Sequence, residues 1–210
     1  MTATALAFAH PADPYATAPD PARLRVAALA PPAELERAAT LLLLGAHRLG
    51  QLATDGALAA PWPTGSAAGV RARYVANCLR ELDTFLKGLL DQVAPSPPDR
   101  PRRHNAANRV HDVAYRTPTR AAALPAIAIL ADDVARLRAL GRSRACLWHC
   151  HGLVRRPDSG GGAWMTAGWH APASADLRRY ALGDHLAPSG RDLIGVGSFY
   201  HQLVHKVADA

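Results

Sequence analysis

The sequence predicts a mainly α-helical bundle with a small β-hairpin, or an irregular insertion, before the last helix. Apolar residues recur at steps of three and four in several long segments, which is the spacing of amphipathic helices. Clusters of proline and glycine separate these segments, and one region near the C-terminus instead mixes aromatic and polar residues over short lengths. Because each helix must bury its apolar stripe, the expected core is helix packed on helix.

The first part of the chain differs from the rest in composition. Residues 1–32 are rich in alanine and proline and have few large apolar side chains, so they cannot bury enough surface to offset the entropy of ordering. We therefore expect a flexible arm over 1–32. Residues 33–210 are long enough for one well-buried unit, and we expect a single helical-bundle domain there.

Two helices are predicted in the first half of the domain. The first runs from Pro32 to about Ala53, and "PWPTGSAAG" at 61–69 separates it from a second that continues to about Val93. "APSPPDRP" then ends the second helix, since proline cannot continue one. The apolar stripes consist of Leu35, Ala39, Leu42, Ala46, Leu49 and Leu52 in the first helix, and of Val75, Leu79, Leu82, Leu86, Leu89 and Val93 in the second.

The second half is predicted to alternate helices with turns. A short helix is expected over 103–116 and a long one over 119–141, where Gly141 acts as a stop or swivel before a further helix to about Arg155. "PDSGGG" is typical of a turn, and "AWMTAGWH" and "RRYALGDHL" favour a small hairpin or irregular strands. Ser189 and Asp192 have the spacing of a capping box, which predicts the start of a last helix.

Charge and cysteine content limit the possible functions. The formal net charge is +7, and six arginines without any acidic residue lie between Val134 and Pro157, which favours an anionic partner such as RNA. The abundance of arginine and alanine is also typical of a GC-rich genome, which offers a compositional origin for the same charge. Three cysteines without a disulfide spacing, no visible signal peptide and no apolar run of membrane-spanning length predict a cytoplasmic protein with reduced thiols.

"GRSRACLWHCHG" at 141–152 concentrates the residues that carry chemistry. Placed on one helix, Cys146 and Cys150 fall on the buried side, whereas Arg144 and His151 are seven residues apart and project together on the opposite side. Three interpretations are open for this stretch. It is a packing helix with a solvated basic face, a zinc-stabilised module, or a site for RNA cleavage that needs no metal. The zinc interpretation uses Cys146, His149 and Cys150 as ligands, and the cleavage interpretation uses arginine for the phosphate and histidine for the proton.

This stretch and the segments after it resemble the HEPN family (higher eukaryotes and prokaryotes nucleotide-binding domain) over about residues 33–208. Members have an arginine, four to six residues and then a histidine near the start of a late helix, often followed by glycine. Here Arg144 precedes both His149 and His151, and Gly152 follows. The resemblance implies a homodimeric, metal-independent endoribonuclease without a cofactor, acting as a toxin or in anti-phage defence, with RNA and an antitoxin protein as partners.

The resemblance also implies roles for individual residues. His151, or His149 as its rival, would transfer the proton, while Arg144 supported by Arg142 would hold the phosphate. RNA contacts would come from a further set of residues, namely Trp148, Arg103, Arg109, Arg155 and Arg156. The family usually has a polar residue after the arginine, and this chain has Ala145. That departure keeps open a second function, a non-catalytic helical domain that binds RNA or protein.

Overall fold

The structure is a computed structural model that describes residues 32–93, 107–108 and 131–208. Within these ranges the chain forms four long α-helices, α1 (Pro32–Thr54), α2 (Ser66–Val93), α3 (Ala131–Cys150) and α4 (Gly190–Ala208). A two-stranded antiparallel sheet, β1 (Trp164–His170) and β2 (Leu177–Ala181), lies between α3 and α4 in the sequence. The predicted mainly α-helical class and the small hairpin before the last helix are therefore confirmed.

Helix α1 packs against α2 and most extensively against α4. The predicted stripe residues Leu42 and Leu49 are buried on α1, and Leu79 and Leu86 are buried on α2. Glycine allows α1 and α4 to approach closely, because a Cβ atom at Gly197 would lie 2.9 Å from the carbonyl oxygen of Ala46. The apolar core is therefore helix on helix, as the periodicity predicts.

The connection between α1 and α2 is fixed by one arginine. The guanidinium of Arg71 donates hydrogen bonds to three backbone carbonyls, those of Leu58, Ala60 and Pro61. It also lies 5.3 Å from the ring centre of Trp62. Helix α2 begins just before this arginine, at Ser66, and continues to Val93 as predicted.

Helix α3 differs from the sequence prediction in two ways. It is continuous through Gly141, where a stop or swivel was expected, and it ends at Cys150 rather than near Arg155. His151 and Gly152 follow with φ angles of 52° and 89°, so the backbone leaves the helix there. Gly152 is required at this point, since a Cβ atom on it would lie 2.8 Å from the carbonyl oxygen of Leu186. Helix α3 therefore ends at Cys150, where the chain turns to pack against the segment that precedes α4.

The hairpin is attached to α3 by close backbone contact. A Cβ atom at Gly168 of β1 would lie only 2.3 Å from Cγ of Leu140, and the amide of Gly168 donates a hydrogen bond to the buried hydroxyl of Ser143. Arg136 of α3 donates to the carbonyls of Gly168 and Gly195 and stacks 4.4 Å from the ring centre of Phe199. These contacts join α3, β1 and α4 into one packed unit.

The capping box that starts α4 is confirmed. The backbone amide of Ser189 donates to the carboxylate of Asp192 at 2.9 Å, and the amide of Asp192 donates to the Ser189 hydroxyl at 3.2 Å. This reciprocal pair satisfies two amides that a helix N-terminus leaves without partners. The residue pattern alone was enough to locate this end of the helix.

Some predicted features lie outside the described residues. These are residues 1–31 of the arm expected over 1–32, whose last residue instead begins α1, the first part of the helix expected over 119–141, and most of the short helix expected over 103–116. Ala107 and Asn108, the two described residues of that short helix, are helical, and Ala107 is buried. None of the helices in the described ranges is long and apolar enough to cross a membrane.

Candidate nucleic-acid interface

The C-terminal half of α3 has two sides with different surroundings. One side, which we call the α2 side, carries Arg144 and Trp148 and faces helix α2. The Nη1 atom of Arg144 lies 3.2 Å from Oδ2 of Asp83, and the guanidinium of Arg80 lies 5.9 Å from the ring centre of Trp148. Trp148 follows Arg144 along α3, whereas its contact Arg80 precedes Asp83 along α2. The two helices are therefore antiparallel.

Arg144 is a partner in an interhelical ion pair. The side chains of Arg144 and Asp83 are 29% and 21% exposed, so water screens this pair only in part. The pair lies near Tyr200 of α4, where burial, followed by the charge of Asp83, raises the pKa of the phenol above its ordinary range. The positive charge of Arg144 acts to lower this pKa. The guanidinium therefore offsets a negative charge beside the core.

The structure separates Arg144 from His151, although the sequence pattern predicts that they project side by side. His151 is exposed and lies outside the helix, and its Nδ1 would be 3.4 Å from a Cβ atom on Gly69. On α2, Arg144 contacts Asp83, whereas His151 lies beside Gly69. These two positions are fourteen residues apart, which corresponds to about 21 Å along the helix axis. The prediction was wrong at this point because it assumed a helix that continues past residue 151.

The other side of α3 borders an open cleft of about 600 Å³. We call it the basic cleft, and its lining residues are Arg142, Ala145, Cys146, His149, Cys150, Arg155, Arg156, Pro157 and Met165. The five members from α3 recur at steps of three and four, so they share one arc of the helix surface. Six of the nine are site residues predicted from the sequence, but they belong to competing interpretations.

Backbone contacts place the remaining part of the cleft. The amide of Val154 donates to the carbonyl of Asp184, and the amide of Gly183 donates back to the carbonyl of Val154. These bonds fix the extended segment after the helix, so that Arg155 and Arg156 come to lie beside the end of α3. Met165 of β1 closes the cleft from the hairpin side.

Asp158 connects α3 with the hairpin at the margin of the cleft. Its carboxylate lies 2.7 Å from Nε of Arg142 and accepts a hydrogen bond from the amide of Thr166. Its own amide donates to the carbonyl of Trp164. Asp158 therefore limits the orientations of the Arg142 side chain and holds the guanidinium at the cleft.

The cleft combines positive charge with an apolar surface. Among the described residues that line it, three are arginines, one is a histidine and none is acidic. Burial, followed by the nearby Cys150, raises the pKa of the Cys146 thiol to about 11, and its Sγ donates a hydrogen bond to the carbonyl of Leu153 at 3.3 Å. Cys146 is thus a neutral thiol at neutral pH. The site suits a ligand that has both anionic and apolar groups.

The zinc-module interpretation finds no support in this arrangement. In the part of the chain that the structure describes, no three histidine, cysteine, aspartate or glutamate side chains are placed to hold one metal ion. Cys146, His149 and Cys150 belong to the same helix arc but do not form such a group. Arg103 and Arg109, the other predicted RNA contacts, lie outside the described residues.

Two partners of the site arginines, Asp83 and Asp158, escaped sequence reasoning. Asp83 is 61 residues away from Arg144 along the chain, and Asp158 belongs to a turn whose composition gives no sign of a side-chain role. Only the tertiary structure brings these charges together. No protein-family model, curated protein or solved structure matches the chain, so the cleft is interpreted from its own chemistry.

Proposed function

We propose that the basic cleft binds RNA and that the chain is a HEPN-like, metal-independent endoribonuclease acting through His149 and Arg142. The observation that carries this proposal is the lining of one cleft by a histidine and three arginines, with no acidic residue among its described lining residues. Arginine binds phosphate through a fixed fork of donors, and an imidazole can accept and donate protons near neutral pH. RNA supplies its own nucleophile, the 2′-hydroxyl.

The reaction follows from these groups. His149 would accept the proton of the 2′-hydroxyl as that oxygen attacks the adjacent phosphorus atom. The bond from phosphorus to the 5′-oxygen breaks, the departing oxygen takes up a proton from water, and His149 returns the proton that it accepted to the solvent. The products are a 2′,3′-cyclic phosphate and a 5′-hydroxyl. Arg142, Arg155 and Arg156 would stabilise the negative charge that develops on the phosphate oxygens.

The spacing between Arg142 and His149 supports their choice, because it fits the HEPN motif that the sequence resembles. Six residues separate Arg142 from His149, which is within the spacing of the HEPN motif, and both side chains line the cleft. The residue after Arg142 is Ser143, a polar residue like those that usually follow the motif arginine. Both arginines are ion-paired, Arg142 with Asp158 and Arg144 with Asp83, but only Arg142 lines the cleft together with His149. The lining of the cleft therefore favours Arg142 as the motif arginine.

The test is RNA cleavage in the presence of EDTA. Wild-type protein should cleave single-stranded RNA and leave 2′,3′-cyclic phosphate ends, and the double variant Arg142→Ala/His149→Ala should lose this activity. A matched control, Arg138→Ala/His185→Ala, removes the same two residue types from exposed positions that do not line the cleft. Absence of cleavage by wild type, or equal cleavage by the two double variants, would contradict the proposal.

A second candidate is RNA binding without cleavage. It is favoured by the half-buried ion pair of Arg144 and by the distance that separates its contact on α2 from that of His151. In this case the protein would bind RNA with an affinity that falls steeply as salt concentration rises, but would form no product. Filter binding and gel analysis on the same samples distinguish the two candidates.

The resemblance also implies a homodimer that pairs through the motif helix, and we propose this for α3. Trp148, on the α2 side of this helix, is 40% exposed and offers an apolar contact. Sedimentation analysis should give twice the chain mass, and Trp148→Glu should return the protein to the monomer. A monomeric wild type would contradict this part of the proposal.

A further inference from the structure

One tryptophan of the hairpin differs from the others in having no partner for its ring. Trp164 of β1 is 53% exposed, more than any other tryptophan, tyrosine or phenylalanine in the part of the chain that the structure describes. Within the described ranges, it neither stacks with a ring or a guanidinium nor donates a hydrogen bond from its indole. Each of the other three tryptophans makes such a contact, namely Trp62, Trp148 and Trp169.

The strand register places an arginine beside this ring. Trp164 pairs with Ala181, and two residues further along β1, Thr166 pairs with the exposed Arg179. Paired side chains share a face, which we call the outer face of the hairpin. Arg179 is the diagonal neighbour of Trp164 at about 7–8 Å, within reach of long side chains. It forms no ion pair with another described residue, whereas the preceding Arg178 points to the opposite face and donates to a phenol hydroxyl.

The basic cleft lies on the opposite face of the same strand. Successive side chains of a strand alternate between its faces, and Met165, which follows Trp164, is buried and lines the cleft. A flexible single strand of RNA can therefore continue from the cleft around the edge of the hairpin to the outer face. A duplex cannot, because its persistence length is about 150 bp and its bases are already stacked on one another.

We propose that the outer face of the hairpin binds single-stranded RNA, with one base stacked on Trp164 and one phosphate held by Arg179. Aromatic side chains bind unpaired bases of any sequence, because every base has a π-face. The guanidinium matches a phosphate in charge and in its fork of donors. This inference rests on the proposal that the basic cleft binds RNA, to which it adds a second contact surface, but it does not require that the RNA is cleaved.

The charges beside the outer face favour RNA over a protein partner. Asp158, Asp176 and Asp184 flank the two strands, and each carboxylate already accepts a hydrogen bond from the hairpin or its turns. The positive charge of Arg179, in contrast, is not offset by an ion pair with a described residue. A single ring beside an unpaired guanidinium fits a nucleotide better than it fits the contiguous apolar patch that marks many protein interfaces.

Binding of 2′-O-methyl RNA tests the inference, because this oligonucleotide lacks the nucleophilic hydroxyl and stays intact whether or not the protein cleaves RNA. Fluorescence anisotropy with a labelled single strand should show that Trp164→Ala weakens binding by about 5- to 150-fold, the range for loss of one stacked base. Trp164→Phe keeps a stacking ring and should recover most of the affinity. Arg179→Ala should weaken binding by a smaller factor. Arg138→Ala, the matched control at an exposed position of α3, should bind like wild type.

The outcomes separate this inference from the proposal for the cleft. If wild type binds the single strand and Trp164→Ala binds it equally well, the inference is overturned, the cleft proposal stands, and the outer face is left to a protein partner. Equal losses in Trp164→Ala and Trp164→Phe would overturn stacking, as would an equal loss in Trp164→Ala for a duplex of the same sequence. A wild type that binds neither form of RNA would contradict the cleft proposal as well.

Discussion

The two sides of α3 carry the same residue types in different physical settings. On the α2 side, Arg144 is paired with Asp83 near the buried Tyr200, where its charge stabilises the packing of helices. On the cleft side, Arg142 is also paired, with Asp158 before β1, but it lines an open basic cleft together with His149. The identity and spacing of residues on a helix therefore do not determine their roles. The roles depend on what packs against each side of the helix.

The largest expected effect concerns the attachment of the hairpin, because the cleft side exists only while β1 is held against α3. Gly168→Ala places a Cβ atom 2.3 Å from Cγ of Leu140, and we expect it to lower the free energy of unfolding by about 3 kcal/mol. Gly141→Ala is the matched control on α3, where a Cβ atom meets nothing within 4 Å. It should raise stability by about 0.5–1 kcal/mol. Urea unfolding measures both, and equal effects would contradict this packing.

The next effect concerns the ion pair on the α2 side. Arg144→Met removes the guanidinium from beside Asp83, and we expect a loss of about 1–2 kcal/mol, between the values typical of exposed and buried pairs. The variant should keep its affinity for RNA. A double-mutant cycle with Asp83→Asn isolates the pair from other contacts of each residue. A coupling free energy near zero would mean that the pair does not stabilise the helix contact.

Much of the fold could be predicted because it depends on local patterns. The stripes of α1 and α2 identify buried residues such as Leu42 and Leu86, and the Ser189–Asp192 spacing identifies the start of α4. The end of α3 could not be predicted, because it depends on the contact between Gly152 and Leu186, which are 34 positions apart.

The candidate site shows the same division. Helical periodicity correctly grouped Cys146 with Cys150 and placed Arg142 and His149 together near them. It could not reveal that Asp83 would pair with Arg144, since nothing local to either residue encodes that contact. Periodicity thus identifies the residues that share one side of a helix, whereas tertiary contacts determine which side remains accessible.

A smaller effect is expected at the residue that ends α3. His151 has a φ of 52°, a left-handed conformation that costs most residues about 1–2 kcal/mol but suits glycine. Allowing for the greater entropy of glycine in the unfolded chain, His151→Gly should stabilise the protein by about 0.5–1 kcal/mol. His149→Gly, two residues earlier and still within the helix, should destabilise it by a similar amount. The opposite order in thermal unfolding would contradict the observed end of the helix.

The smallest expected change concerns the pH dependence that the buried Cys146 thiol gives to stability. Burial raises the pKa of Cys146 from 9.0 to about 11, so the folded state favours the protonated thiol. The resulting contribution to stability is complete below pH 9.0 and is lost as pH rises toward about 11. Urea unfolding of Cys146→Ala should show a weaker decline of stability over this interval than wild type. Identical declines would argue against a buried neutral thiol at this position.

The most direct test of the difference between the two sides of α3 is to compare His149→Ala with His151→Gly in RNA cleavage under EDTA. Only His149 lines the basic cleft, whereas His151 lies beside Gly69 of α2. We predict that His149→Ala abolishes formation of 2′,3′-cyclic phosphate ends and that His151→Gly cleaves at the wild-type rate. Loss of cleavage in His151→Gly with full activity in His149→Ala would assign the chemistry to the α2 side and contradict a catalytic role for the basic cleft.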